Sequence, residues 1–487
     1  MNTAYRILGS LVFLTALVFW VAPPALSDPG PDDSGGKSIE AVREELQRRR
    51  EKRTQLREKL ETSQPTDQRA MSGFVSLETE YRFGGHDRDL DTTFRFFVEL
   101  GDDRVDSVTG SVSGRLLWDM NGLARPSGVT FGDDAAYVDY NDIEGDRLTQ
   151  RIYTAYVDFN RLGPLDKLRV GRQFHDGTTG GHFDGLRVAA SPFEKTTVSL
   201  YGGVPVNEYK ATGRRAAEND RIYGGMITNR FLDDLSVTLD VQGYRDRTEF
   251  YGFHTDYQAA LGLRYNFQDN LRGSVLENVI NGEQRDLNCS LVYWNTSYDL
   301  SVTMNYVWMP ERLEDLSDGY TPYTDMMARL EPYQLFRVMG TKGLGEHVEV
   351  GADFTSHELI DTTDETIFNK EYTRTQASLS LLDLPIDDLR ATIHYERWDS
   401  TDDAEYSLGG DVRQRLTRSH TLEAGSYFSK FKYRNVSFVR TQDVQTTYLK
   451  WRWAVTRDLN FQLKAEIEDV VDEETYNLLS AAFTLRF

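Results

Sequence analysis

The sequence predicts an all-β protein: a transmembrane antiparallel up-and-down β-barrel of about 22 strands, within a range of roughly 18–22, with a short N-terminal helical segment. Three observations carry this expectation. From residue 71 to the end, apolar and polar residues alternate with a period of two, and no helical pattern intervenes. The connections between these stretches alternate between short turns and long polar loops. The chain finishes on NLLSAAFTLRF, where Leu479, Ala481, Phe483, Leu485 and Phe487 share one side of an extended strand and Leu478, Ser480, Ala482, Thr484 and Arg486 share the other.

Composition agrees. The 487 residues include 26 Tyr and 25 Phe but only 13 Pro, which suits pleated strands. With 55 Lys+Arg against 77 Asp+Glu, the formal net charge is -22, which argues against nucleic acid as a partner. The single cysteine, Cys289, excludes intramolecular disulfides, a CxxCH haem site and a cysteine zinc cluster, and no cofactor is expected.

Residues 1–27 read as a signal peptide: an apolar run from Ile7 to Ala22, then Pro23 and Pro24, then Ala25-Leu26-Ser27 as a small-residue cleavage site. The mature chain is therefore expected to be exported. Residues 28–70 form a periplasmic linker and a short charged helix. DPGPDDSGGK has linker composition, and Ile39, Val42, Leu46, Leu56 and Leu60 then recur at heptad spacing. Arg49 and Arg53 occupy the seam between them, so any coiled coil is weak.

Residues 71–487 carry the strands. In LSVTLDVQGY (235–244), Leu235, Val237, Leu239 and Val241 face one way, and Ser236, Thr238, Asp240 and Gln242 the other. The same split recurs in LSVTMNYVW (300–308), HVEVGADF (347–354), LRATIHYE (389–396) and LNFQLKAEIE (459–468). Short turns fall at 101–104, 191–195, 230–234, 266–270, 343–346, 384–388, 416–420 and 455–458. Long loops fall at 119–146, 207–220, 310–325 and 361–372. Soluble sheets also alternate. The alternation of turn length over most of the chain, with Trp118, Tyr306, Trp308, Tyr395, Trp451 and Trp453 placed to form interfacial belts, favours the membrane. Hydrocarbon offers backbone amides no partner, so the first strand must pair with the last.

The face opposite the apolar one then lines a lumen. Alternation assigns it Arg115, Arg169, Arg187, Asp240, Glu349, Asp353, Arg390, His394, Glu396, Lys450, Arg452, Lys464 and Glu466 as pore-lining candidates. Arg390, Lys450, Arg452 and Lys464 suggest a basic patch favouring anions. Residues 28–70 are too few for a globular plug, so constriction is expected from loops 119–146 and 310–332.

A final strand with Tyr476, Phe483, Leu485 and a terminal Phe487 resembles the C-terminal signature of Gram-negative outer-membrane barrel proteins, in which it is read by the barrel-assembly machinery. LRVGRQFHDGTTGGHFDGLRVAASPF (168–193) resembles a hairpin of porin-like and exopolysaccharide-export barrels. The helix at 38–62 is similar to the N-terminal coiled coil of some trimeric anion-selective porins, which would imply a homo-trimer.

His175, Asp176, His182 and Asp184 surround one glycine-rich hairpin tip, read as an exposed polar turn with no metal. His394 and Glu396 share a face and form the neatest candidate pair. There is no GxSxG, and the histidines are scattered, so no catalytic residues and no enzyme activity are expected. The acidic stretch 361–366 and the pair Asp133 and Asp134 are solvated loop charge, with divalent bridging to lipopolysaccharide phosphates as the alternative.

The expectation is an outer-membrane, porin-like channel passing small hydrophilic solutes, its selectivity set by lumen charges and inward loops. Outer-membrane lipid, lipopolysaccharide and the assembly machinery are its expected partners. The alternative is a barrel sheath around an exported polysaccharide or a multihaem cytochrome.

Overall fold

Runs of Val, Leu, Phe, Tyr and Thr that alternate with polar residues cannot bury one stripe as a helix, but they can present two different faces as strands. In the computed structural model, residues 71–84, 87–120, 147–206, 220–248, 252–312, 331–361, 370–400, 404–435, 438–471 and 475–487 are described. The expected signal peptide, linker and charged helix, and most of loops 119–146 and 310–332, lie outside them.

The described strands belong to one compact unit, Gln68–Phe487. The first half of the sheet comprises β1 (Met71–Gly84), β2 (Asp87–Leu100), β3 (Val108–Asp119), β4 (Leu148–Leu162), β5 (Leu165–Phe174), β6 (His182–Phe193), β7 (Thr196–Pro205), β8 (Arg221–Arg230), β9 (Leu235–Thr248), β10 (Gly252–Gln268) and β11 (Leu271–Ile280). The second half comprises β12 (Glu283–Asn295), β13 (Leu300–Met309), β14 (Tyr333–Gly343), β15 (Val348–Leu359), β16 (Tyr372–Leu382), β17 (Leu389–Ser400), β18 (Ala404–Arg415), β19 (His420–Asn435), β20 (Phe438–Ala454), β21 (Leu459–Val470) and β22 (Tyr476–Arg486).

Each strand pairs antiparallel with its chain neighbours, and β22 pairs with β1, closing a 22-stranded barrel without an edge. Closure leaves no row of unpaired amides, as the absence of water in hydrocarbon requires. At the seam Leu77 lies opposite Phe483 and Tyr81 opposite Leu479.

The two rims differ. The short turns expected from sequence all fall on one rim, from the turn after β2 to the turn after β20, and the long loops after β3, β7, β13 and β15 all leave from the other. Both ends of the barrel chain lie at the short-turn rim.

The cross-strand register fixes which residues share a face, because direct partners point the same way. From Leu479 the partners run through Ala465, Leu449, Ala424, Val412, Ala391 and Leu381 to Val348, all apolar. One residue further along each strand, the next row reads Ser480, Lys464, Lys450, Glu423, Arg413 and Arg390. The apolar face is open: Leu200 is 62% exposed, Ile393 59% and Leu408 51%.

Candidate lumen and its inward loop

Only one face of a closed cylinder is concave. The polar face, opposite the exposed apolar rows, is taken as the inner one, and on it a recess of about 520 Å³ is lined by Thr303, Asp353, Gln376, His394, Glu396 and Tyr427, drawn from strands β13 to β19. By register, Arg115, Arg169, Arg187, Asp240, Glu349, Asp353, Arg390, His394, Glu396, Lys450, Arg452, Lys464 and Glu466 all lie on it. Trp118, Tyr306, Trp308, Tyr395, Trp451 and Trp453 lie on the outer face. In the terminal strand Phe483 and Leu485 face out, whereas Tyr476 has the opposite parity and faces in.

The inner wall carries ion pairs within and between strands. Arg169 grips Asp158 with two hydrogen bonds, at 2.7 and 2.9 Å, and its guanidinium lies 3.6 Å over the Tyr156 ring. Arg337 binds Asp353, Arg390 donates to Glu349 at 2.9 Å, and Lys464 reaches Glu466 at 2.7 Å. Glu396 accepts from Arg374 and Gln376, each at 2.7 Å, and from the Trp398 indole. Arg452 lies 3.3 Å from Glu423, which also accepts from the Tyr448 hydroxyl. Several of these pairs are half open, Arg390 at 50% and Arg452 at 39%, so each contributes at most about 1 kcal/mol to stability.

The sequence pairing of His394 with Glu396 is corrected. The two share a face, but His394 meets Asp411 on β18 at 3.2 Å, while Glu396 turns to β16. Glu396 is already engaged by Arg374, Gln376 and Trp398, so the imidazole turns to the adjacent strand.

Like charges also stand directly opposite. Arg390 faces Arg413, Lys450 faces Lys464, and Arg115 is flanked by Arg95 and Arg151. Near the long-loop rim Asp89, Asp91 and Asp119 cluster on the same wall, and Arg82 lies 3.6 Å from Asp89. Such juxtapositions cost stability. They create separate basic and acidic zones along the wall.

The hairpin tip between β5 and β6 is the second correction. Its sequence reads as an exposed turn, but it folds inward over β6, β7 and β8 and reaches β9. The side chains of His175 and Asp240 are both 0% exposed. His175 Nε2 lies 2.9 and 3.0 Å from the two Asp240 oxygens. The Thr179 amide donates to the same carboxylate at 3.1 Å, and the Thr178 and Thr179 hydroxyls donate at 3.3 and 3.1 Å. The His175 ring stacks on Tyr201, their centroids 4.1 Å apart, and the Tyr201 hydroxyl donates to Gln242 at 2.9 Å.

Gly177 allows this approach. A Cβ there would stand 2.0 Å from His175 Nε2 and 2.1 Å from an Asp240 oxygen. Beneath the loop Phe183, Tyr201 and Ile222 form the buried apolar cluster of the inner wall. Arg187 anchors the loop a second time through Asp176. His182 donates instead to the Tyr153 carbonyl, and Asp184 pairs with Arg172 on the outer face, so the four tip residues do not converge on one point. Between the loop's Thr178 and the wall at Thr238, Arg264 and Arg272 lies a recess of about 630 Å³.

No protein family profile matches the chain, and no curated protein matches it in sequence. Among solved structures, it is similar to the translocation pore of the P pilus usher PapC, with 9% identity, TM-score 0.47, and coverage of 85% of this chain and 99% of that one. It is also similar to Pseudomonas aeruginosa OprD, at 11% identity and TM-score 0.39, covering 86% of this chain and 95% of that one. Pseudomonas aeruginosa OpdK with vanillate gives 8% identity and TM-score 0.39, covering 86% and 98%.

Proposed function

We propose that the protein is a porin-like channel in the outer membrane of a Gram-negative bacterium, passing small hydrophilic solutes by diffusion. The observation that supports this is the division of the closed sheet into two chemically opposite faces, one apolar and exposed, the other charged and polar. Burying a leucine-sized side chain is worth about 1.5–3 kcal/mol. A band of such residues held open around a closed sheet is stable against acyl chains and unstable in water. The pore-lining candidates named from the sequence act here as the selectivity wall.

Two elements set what passes. The row Arg390, Arg413, Lys450 and Lys464, interrupted by Glu423, offers stepping positions for anions. The loop pinned at Asp240 narrows the lumen from β5 to β9. The long loops face the exterior and the short turns the periplasm, in the usual order for such barrels. Phe483, Leu485 and Phe487, with Tyr476, then serve as the assembly signal. The test is conductance in a planar bilayer with a salt gradient. Steady ohmic conductance with an anion-favouring reversal potential is expected. A purified, folded protein that passes no current would overturn the reading.

A further inference from the structure

Resting on the channel reading above for the ligand's route to the inner wall, we infer that this wall carries a saturable site for a small organic dianion, a linear dicarboxylate, between β8 and β11 near the short-turn rim. The site is the recess of about 630 Å³ beside the inward loop's Thr178, where Arg230, Arg264 and Arg272 surround a floor of Ser236, Gly262 and Leu276.

The register brings the arginines together. Arg230 lies opposite Ser236, Ser236 opposite Arg264, and Arg264 opposite Ser274. Two arginines therefore flank one serine on three adjacent strands, about 10 Å apart at the backbone. Arg272, two residues before Ser274 on β11, is the diagonal neighbour of Arg264. Two residues along each strand, Thr238 lies opposite Gly262 and Gly262 opposite Leu276. These positions have the parity of Asp240 and so share the inner face. Small side chains between long ones open the recess: a Cβ on Gly262 would meet nothing closer than 3.8 Å, the Leu276 side chain among its neighbours.

Elsewhere on this wall Arg169, Arg337, Arg374 and Arg390 each hold a carboxylate. Arg230 and Arg264 hold none: among the described residues neither side chain makes a hydrogen bond, an ion pair or a ring contact. Arg272 spends only its Nε hydrogen, on Asn266 at 3.0 Å, and its guanidinium lies 5.8 Å from the Trp294 ring. Of the two carboxylates lining the recess, Asp233 is paired with Lys195 at 2.8 Å, which leaves Asp234. Three guanidinium groups against that one carboxylate leave a surplus of two positive charges, and a dianion matches it. Carboxylates suit the forks, because their two oxygens accept paired N–H groups. With arms on either side of Ser236, a ligand carrying a carboxylate at each end can span them, its methylene chain lying over Gly262 and Leu276.

The test titrates the mature protein in detergent with adipate by isothermal titration calorimetry. One adipate per barrel is expected to bind. Hexanoate, with the same chain and one charge, and sulfate, with two charges and no chain, should each bind about tenfold more weakly. R230Q/R264Q should lose about tenfold or more in adipate affinity. Gly262→Val, which fills the floor without touching a charge, should weaken adipate binding as well. Equal adipate affinity in wild type and both variants overturns the site. Equal affinity of the wild type for hexanoate or sulfate overturns the dicarboxylate, and a folded wild type that binds no adipate overturns both. A gel shift on boiling reports whether each protein is a folded barrel, and the single changes R230Q and R264Q replace a double variant that shows none. Bilayer conductance separates this site from the channel reading: a protein that conducts but binds no adipate loses the site alone, and one that binds adipate but passes no current loses the channel alone.

Discussion

Gly73 and Phe487 exchange both backbone hydrogen bonds: the Gly73 amide donates to the Phe487 carbonyl at 3.0 Å, and the Phe487 amide donates back at 3.1 Å. They are the last hydrogen-bonded pair of the seam, so the C-terminal residue completes the ring. Gly73 also has φ +155, and a Cβ there would stand 2.1 Å from the Phe97 carbonyl oxygen on β2. Gly73→Ala is therefore expected to strain the seam, and deletion of Phe487 to open it by two hydrogen bonds, each change costing about 1–3 kcal/mol. On a gel, the unboiled wild type should migrate faster than the boiled protein. Both variants should show a smaller folded fraction and a lower unfolding temperature. Unchanged values for both would show that closure does not depend on this pair.

Asp240 holds the inward loop by five contacts from three loop residues. Removing the carboxylate in Asp240→Ala leaves buried His175 and half-buried Thr179 without their acceptor, a loss of about 1–3 kcal/mol. The loop, left with the Arg187–Asp176 pair and the stack of His175 on Tyr201, should then open away from the wall. Single-channel conductance is expected to rise, and proteinase K should cut between 175 and 181. Gly177→Val should give the same phenotype by steric exclusion. Wild-type conductance and protease resistance in both variants would mean that the loop is held elsewhere.

The strands, the closure and the shared face of residues such as Arg390 and Lys450 were legible because a period of two determines the face of every residue once one is known. Partners were less legible. Which strand supplies the acid for His394 depends on the register with β18, which is set by turn geometry. The inward loop was invisible to periodicity, since the direction a loop folds is not written in its own residues. One signal was present: Phe183, Tyr201 and Ile222 are apolar where alternation calls for polar inner residues, and each is 6% exposed or less. Apolar residues on a polar wall need a cover, and the glycine-rich tip next to Phe183 supplies it. Arg337, Arg374, Asp411 and Glu423 could have been named by the same parity argument that found Lys464.

The basic row should act on ions rather than on stability. A unit charge about 4 Å from a passing ion contributes about 1 kcal/mol in water, close to a fivefold change in local ion concentration. Lys450→Glu and Lys464→Glu each reverse one such charge on neighbouring strands. The reversal potential should move toward the cation limit in either variant, and further in the double variant. The shift should shrink at molar salt, where the Debye length falls to about 3 Å. A shift independent of salt would point to a change in pore shape instead of charge.

Tryptophans sample both faces. Trp118, Trp308, Trp451 and Trp453 have outer parity, and Trp451 and Trp453 stack with His420 near the short-turn rim. Trp294 and Trp398 have inner parity, and Trp398 lies under the Arg374 guanidinium at 4.9 Å. In vesicles of brominated lipid, a variant keeping only Trp453 should be strongly quenched, because its ring meets acyl chains. A variant keeping only Trp398 should be insensitive to the bromines yet accessible to aqueous iodide entering the pore. The reverse pattern would turn the barrel inside out. Equal iodide quenching of both, with no bromine effect, would place the apolar face in water and remove the basis for a channel, since a cylinder with a greasy exterior carries solutes across a bilayer only if that exterior is in one.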